Sequence, residues 1–400
     1  MKKLIFLSIL SLLWLSSCSD EFGVDSDGIS NSSPGLAESS FDSSTSPSGG
    51  GGSSSGGSGV PTGGLITAGE WNDLENWDFW INLLETSEHR EMEEVWTIDP
   101  SRRIAVELIG LNEVPVRDAQ IKLMNGAELI WEAQTDKEGS AELFIDPYSL
   151  TSSYNLSELN LTINNDISKN NLLAVNEGVN TYNLNVLGNT NSRGAEISFI
   201  VDATGSMGDE LEFLKDELYD VINRVQSDHS DKLILTSSVF YRDETDEYVT
   251  KTSDWSADVA HTVDFIKEQS AGGGGDFPEA VHSALDEAIN KLVWSKTSTT
   301  KISFLLLDAP PHGEEQVLDN LRSSITNAAA QGIKIIPIVA SGIDKQTEFL
   351  MRFMSVLTNG TYVFITDDSG IGNAHLEPTV GDYEVEFLND LMVRLISEYM

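Results

Sequence analysis

Cysteine is all but missing from this chain: Cys18 is the only one in 400 residues. A lone thiol excludes an internal disulfide framework and a cluster of thiolate metal ligands. Positive charge is scarce too. With 24 Lys and Arg against 64 Asp and Glu, the formal net charge of -40 repels polyphosphates, so nucleic acid is not an expected partner and cations are. For most of these carboxylates, keeping a surface soluble is role enough. The run Gly272 to Gly275 is not followed by Gly-Lys-Ser/Thr, so no phosphate-cradling P-loop is present. Ser206 sits in Thr204-Gly205-Ser206-Met207-Gly208, which lacks the first glycine of a GxSxG nucleophile elbow. A hydrolase triad drawing on His312 or His282 therefore stands only as the alternative to a binding function. His261 and His282 have no second ligand at zinc spacing.

The apolar run Leu4 to Leu15, preceded by Lys2 and Lys3, is too short to span a membrane and reads as an export signal. Leu15-Ser16-Ser17-Cys18 resembles the bacterial lipobox, which implies cleavage before Cys18, lipid on that cysteine and attachment to the membrane. Ser19, Asp20 and Glu21 resemble the acidic start of surface-directed lipoproteins, so an outer-membrane lipoprotein of the cell envelope, open to surface exposure, is the expected location. Residues 19–64 are mostly Ser, Gly, Asp and Thr, too polar to fold. They make a tether of on the order of 35 Å reach.

Residues 65–97 carry half of the eight tryptophans. Leu74, Trp77, Ile81 and Leu84 fall at helical spacing, so the rings are expected to pin this segment against the neighbouring strands of 98–187 rather than to form an open platform. Over 98–187 the pattern turns to alternation, as in Ile104-Ala-Val106-Glu-Leu108, with turns at Asn125-Gly126 and Asp136 to Gly139. That predicts an antiparallel β-sandwich. The stretches VELIGLNEVPVRDAQIKL and ELIWEAQTDKEGSAELFI resemble the carboxypeptidase regulatory-like, transthyretin-like sandwich, which implies a spacer rather than a catalyst.

From 195 to 400 apolar strands alternate with amphipathic helices. Runs such as Ile302 to Leu307 and Ile333 to Val339 are apolar on both faces, predicting a doubly wound α/β domain with a mostly parallel sheet. Ligands of such sheets bind at the carboxyl ends of the strands. Three loops reach that edge. The first carries Asp202, Thr204 and Ser206, the second Asp276 in GGGGDFPEA, and the third Asp308 in LLLDAPPH. Carboxylates and hydroxyls converging there suit a hard cation. Arg242 and Asp243 end another strand on the same edge and are candidates for contact with a partner.

This combination resembles the von Willebrand factor type A domain and its metal-ion-dependent adhesion site. By that resemblance Asp202, Thr204 and Ser206 take the first-loop places and Asp308 the last, while Asp276 stands where the family usually has Thr. The resemblance implies a divalent cation, magnesium first and calcium or manganese next, presented to an oxygen donor, such as a carboxylate, of a protein or glycan ligand; beside the hydrolase, a non-adhesive scaffold for envelope assembly is the other alternative. A third carboxylate makes that cation a weaker electrophile and tilts preference towards calcium.

Overall fold

The computed structural model describes residues 63–189, 192–296 and 299–400; the expected export signal, Cys18 and nearly all of the tether lie outside the described residues. In chain order, β1 (Thr67–Trp71) is followed by α1 (Trp77–Leu84) and α2 (Ser87–Trp96). Next come β2 (Arg103–Val116), β3 (Gln120–Asn125), β4 (Glu128–Gln134), β5 (Ser140–Phe144), β6 (Leu159–Ile163), β7 (Ile167–Lys169) and β8 (Asn180–Asn189). They form two small sheets, one ordered β5-β2-β8 and the other β4-β3-β6-β7. The pairing of β2 with β8 is parallel, a departure from the antiparallel expectation, because alternation reports which face a side chain takes and not the direction of the partner strand. The second half holds β9 (Gly194–Asp202), α3 (Leu211–Asp228), β10 (Leu233–Tyr241), β11 (Thr250–Thr252), α4 (Val259–Lys267) and α5 (Val281–Leu285). It ends with β12 (Thr300–Leu307), α6 (Glu315–Gln331), β13 (Ile333–Val339), α7 (Lys345–Leu357), β14 (Tyr362–Ile365), β15 (Glu386–Phe387) and α8 (Leu388–Tyr399).

The large sheet runs β11-β10-β9-β12-β13-β14-β1-β15, and the five strands from β10 to β14 in that order are mutually parallel. Every residue of β9, β12 and β13 is buried, as expected of central strands covered on both faces. One face packs against α3, α4 and α8 through residues such as Leu218, Ile266 and Leu391. The other face carries α5, α6 and α7 and shares its core with both small sheets, whose own centre includes Trp131 set edge-on to Phe144 at 5.8 Å.

The large sheet is not assembled from residue 195 onward alone. β1 lies between β14 and β15, antiparallel to each: Ala68 pairs with Ile365 on one side and Glu386 on the other. Gly63 and Gly64, which composition assigns to the tether, lead directly into it. The buried Glu217 carboxylate of α3 accepts from the backbone N–H groups of Gly64, Leu65 and Ile66 at 2.8–3.1 Å, satisfying three donors that precede the strand.

The tryptophan segment packs, but mainly on α7. Trp80 is fully buried and stacks on Phe349 at 5.6 Å, and the Trp96 indole N–H donates to the Gln346 carbonyl at 3.1 Å. Trp77 faces the small sheets instead, under the Arg103 guanidinium at 4.8 Å. Arg352 of α7 is paired with Asp73 through two hydrogen bonds of 2.8 and 2.6 Å, both side chains buried, and lies over the Trp80 ring. With this cover, α7 is buried at every position from Thr347 to Leu357, its polar Thr347, Glu348, Arg352 and Ser355 included.

Two outcomes are expected. Asp73→Ala strands the Arg352 cation in the interior and should cost about 3–5 kcal/mol in urea unfolding. A fragment beginning at Ala195 lacks β1 and exposes the edges of β14 and β15, so it should aggregate or melt well below a chain beginning at Gly63. Equal melting of the two would show that β1 is dispensable.

Candidate metal and partner site

The carboxyl ends of β9, β10 and β12 lie side by side, with Asp202 opposite Tyr241 in the register. The first loop folds around the Asp202 carboxylate. Its Oδ1 accepts from the Thr204 backbone N–H at 2.9 Å and from the Thr204 hydroxyl at 2.7 Å, and that hydroxyl is 3.1 Å from Ser206 Oγ. Asp202 and Thr204 are fully buried, whereas Ser206 is exposed. The other carboxylate oxygen, Asp202 Oδ2, is buried with no hydrogen-bond partner. The Tyr241 hydroxyl stands near Asp202 but outside hydrogen-bonding geometry.

The glycine loop is laced onto the first loop by its backbone. Gly272 N–H donates to the Ala203 carbonyl at 3.0 Å and Gly205 N–H to the Gly273 carbonyl at 3.2 Å. Gly273 and Gly274 adopt φ of +79° and +72°, and a Cβ on Gly273 would lie 2.3 Å from the Asp246 carboxylate. Only glycine meets both demands. A Cβ on Gly274 would lie 2.9 Å from Glu279 Oε1 and 3.4 Å from Thr204 Cβ, so the Glu279 carboxylate approaches the same small space as Thr204. Glu279 itself is buried and tied to the third loop, its N–H donating to the Pro310 carbonyl at 2.8 Å, while its Oε2 has no partner.

The electrostatics follow from this crowding. Burial first, then the charge of Asp308, pushes Asp202 up to about 7. Burial, then Asp202, Asp243, Asp246 and Asp308, pushes Glu279 up to about 9. Buried carboxylates face one another here with too little positive charge among them.

The expected site residues divide accordingly. Asp202, Thr204 and Ser206 are brought into direct contact, and Asp308 is buried close enough for its charge to act on both Asp202 and Glu279. Asp276 is exposed, and its charge acts on His312. The second-loop carboxylate that turns inward is Glu279, three residues on. Its signal was the Pro278-Glu279 pair at the start of the helix, which follows the glycines and so cannot swing outward with them.

Arg242 and Asp243 are not partner-facing side chains. The Arg242 guanidinium is buried, donates to the Ala203 carbonyl at 3.2 Å and the Ser270 carbonyl at 2.8 Å, and lies 4.6 Å from the Tyr248 ring. It props the first and second loops together. Asp243 is buried and bonds His312 Nε2 at 2.7 Å; burial pulls the imidazole down, but this contact outweighs it and leaves His312 raised. Both residues are spent on the scaffold of the site.

Among the described residues no three His, Cys, Asp or Glu side chains are arranged as a ready metal cage. The donors offered are mixed, two hydroxyls with the carboxylates behind them. An orphaned, buried carboxylate oxygen at Asp202, surrounded by like charge, nevertheless fits a divalent cation in chemical type.

Residues 196–370 match the family model described as von Willebrand factor A domain. A putative ariadne-like RING finger protein of Acanthamoeba polyphaga mimivirus is 27% identical over 191 residues, covering 44% of this chain and 18% of the relative. The alpha-protein kinase vwkA of Dictyostelium discoideum is 26% identical over 177 residues, covering 44% of this chain and 28% of the relative. The chain thus spans less than a third of either relative's length. The solved structure of the conserved hypothetical protein BatB from Bacteroides thetaiotaomicron aligns over 52% of this chain and 98% of its own, with 11% identity and a TM-score of 0.35, too distant a likeness to argue from. Residues 196–370 are therefore a von Willebrand factor A domain carried on a sheet that the N-terminal half completes.

Proposed function

We propose that this chain is a binding protein of the bacterial envelope, held to the membrane by lipid on Cys18, whose von Willebrand factor A domain engages a protein or glycan through a divalent cation at the Asp202 loop. The observation that carries the reading is the buried, unpartnered Asp202 Oδ2 at the carboxyl edge of the sheet, amid carboxylates that repel one another. Ser206, Thr204 and Asp202 would hold the cation, with Glu279 and Asp308 supplying charge beside or behind them. When bound, it supplies an acceptor site for an oxygen donor of the partner. Magnesium remains the first expectation and calcium the second.

The chain's own residues prepare the site. Thr204 orients the Asp202 carboxylate, Arg242 locks the two loops, and the bond from His312 to Asp243 ties the third loop to the end of β10. A hydrolase reading gains little support, because the hydrogen bond of Ser206 Oγ is to Thr204, while those of His312 and His282 go to Asp243 and Ser283 and not to Ser206. The export run, the lipobox-like tetrad and the polar tether support display on the envelope. The two small sheets, with their carboxypeptidase regulatory-like pattern, are read as a buttress rather than a swinging stalk, since their core is continuous with one face of the large sheet.

Two measurements test this. Millimolar magnesium or calcium should raise the melting temperature of the full chain relative to EDTA, and Asp202→Ala should abolish the response. No response in the wild type would sink the cation. Glu279→Gln should act with opposite signs. It should melt higher than wild type in EDTA at neutral pH, because a carboxyl raised to about 9 must take up a proton on folding and the amide need not, and bind the cation several-fold more weakly in calorimetric titration.

A further inference from the structure

Three cations that are more than nine-tenths buried meet at the other end of the large sheet. Arg117 lies on the turn between β2 and β3, Lys301 near the start of β12 and Lys334 near the start of β13, with exposures of 9%, 4% and 7%. All three line one cavity of about 40 Å³ where the small sheets abut the amino ends of the parallel strands. Asp118, Asp136 and Glu142 line the same cavity.

The closest hydrogen-bond partners of the three cations are uncharged, and the carboxylates stand further back. Lys301 donates to two uncharged oxygens, the Gln331 carbonyl at 2.6 Å and Gln134 Oε1 at 3.3 Å. Lys334 donates to the Asn359 carbonyl at 2.5 Å, and its nearest carboxylate, Asp136, is 3.8 Å away. Arg117 donates from Nη2 to Thr300 Oγ1 at 2.8 Å and lies 3.7 Å from Asp118, while its Nη1 is buried without a partner. Glu142, also on the cavity wall, is already claimed by Arg103 through bonds of 2.7 and 2.8 Å. Burial is the largest influence on all three cations and pulls each below its ordinary value. Buried charge without close counter-charge is costly, and a mobile anion is the simplest relief.

We propose that this cavity binds a small inorganic anion, chloride in saline media, which bridges Arg117 on the small-sheet side to Lys301 and Lys334 at the base of the large sheet. The volume admits a small ion: about 40 Å³ is more than the roughly 10–15 Å³ that one water needs on the same measure, room enough for a monatomic anion. The site lies at the opposite strand ends from Asp202 and does not depend on any cation bound there. Its effect is cohesive, since the anion ties the buttress to the sheet that carries the partner site.

Crystals of the full chain grown in sodium bromide should show one anomalous bromide peak enclosed by Arg117, Lys301 and Lys334. Melting in sodium chloride should exceed melting in sodium gluconate of equal ionic strength by on the order of 2 °C, saturating with concentration. Arg117→Gln should lose that chloride-specific increment. A cavity filled only by water, without anomalous signal, overturns the proposal, as does a chloride increment equally large in Arg117→Gln, which would be a general salt effect. Should Arg117→Gln fail to fold, the bromide experiment on the wild type decides alone.

Discussion

The pairing of β1 with β14 and β15 is the contact on which the rest of the molecule depends. Five residues from the N-terminal half close the large sheet of the C-terminal half, and everything between them in sequence must then return to the same sheet. This is why α1 and α2 come down on α7, why Arg352 finds Asp73 across nearly the whole chain, and why the small sheets share a core with α5 to α7. A strand pairing of such sequence separation carries a large loop-closure entropy. Three backbone donors gathered by Glu217 and the two-sided pairing of β1 offset it locally, and the apolar core under α7 does so globally.

Charge is distributed with the same economy of place. At the carboxyl ends of the strands burial, then the charge of Asp308 among other carboxylates, raises the proton affinity of Asp202 and Glu279; at the amino ends burial lowers that of Arg117, Lys301 and Lys334. Parallel strands bring residues from distant stretches to one edge, so a single sheet can concentrate acid at one end and base at the other. Neither cluster neutralises the other, because the apolar length of the strands lies between them.

What could be read from sequence was whatever rests on periodicity. β12 (Thr300–Leu307) and β13 (Ile333–Val339) stand where apolar runs placed them, and the Asp202 loop and Asp308 were visible because they directly follow such runs. α7 is buried all round although it carries Thr347, Glu348, Arg352 and Ser355, a consequence of cover supplied by a segment 250 residues away that sequence does not reveal. β1 was hidden too: Thr-Ala-Gly-Glu-Trp has no alternation, and only its partners make it a strand. Arg242 looked like a surface arginine because sequence does not reveal that two loop carbonyls lie within its reach. Glu279 was passed over for Asp276 because charge alone does not tell which of two nearby carboxylates points inward.

That last substitution changes what the edge can do. A carboxylate at Glu279, in a place where a neutral hydroxyl would leave a cation most of its charge, withdraws positive charge from any ion held by the Asp202 loop, and Asp308 withdraws more. Under the proposed reading, an ion so compensated attracts an anionic partner only weakly. Attraction at long range is weaker still, since the molecule as a whole is strongly acidic and repels acidic ligands. Selection must therefore fall on contacts around the ion. Ser206 in the first loop and Asp276 and Phe277 in the second are exposed, so under that reading polar and aromatic side chains are available for such contacts.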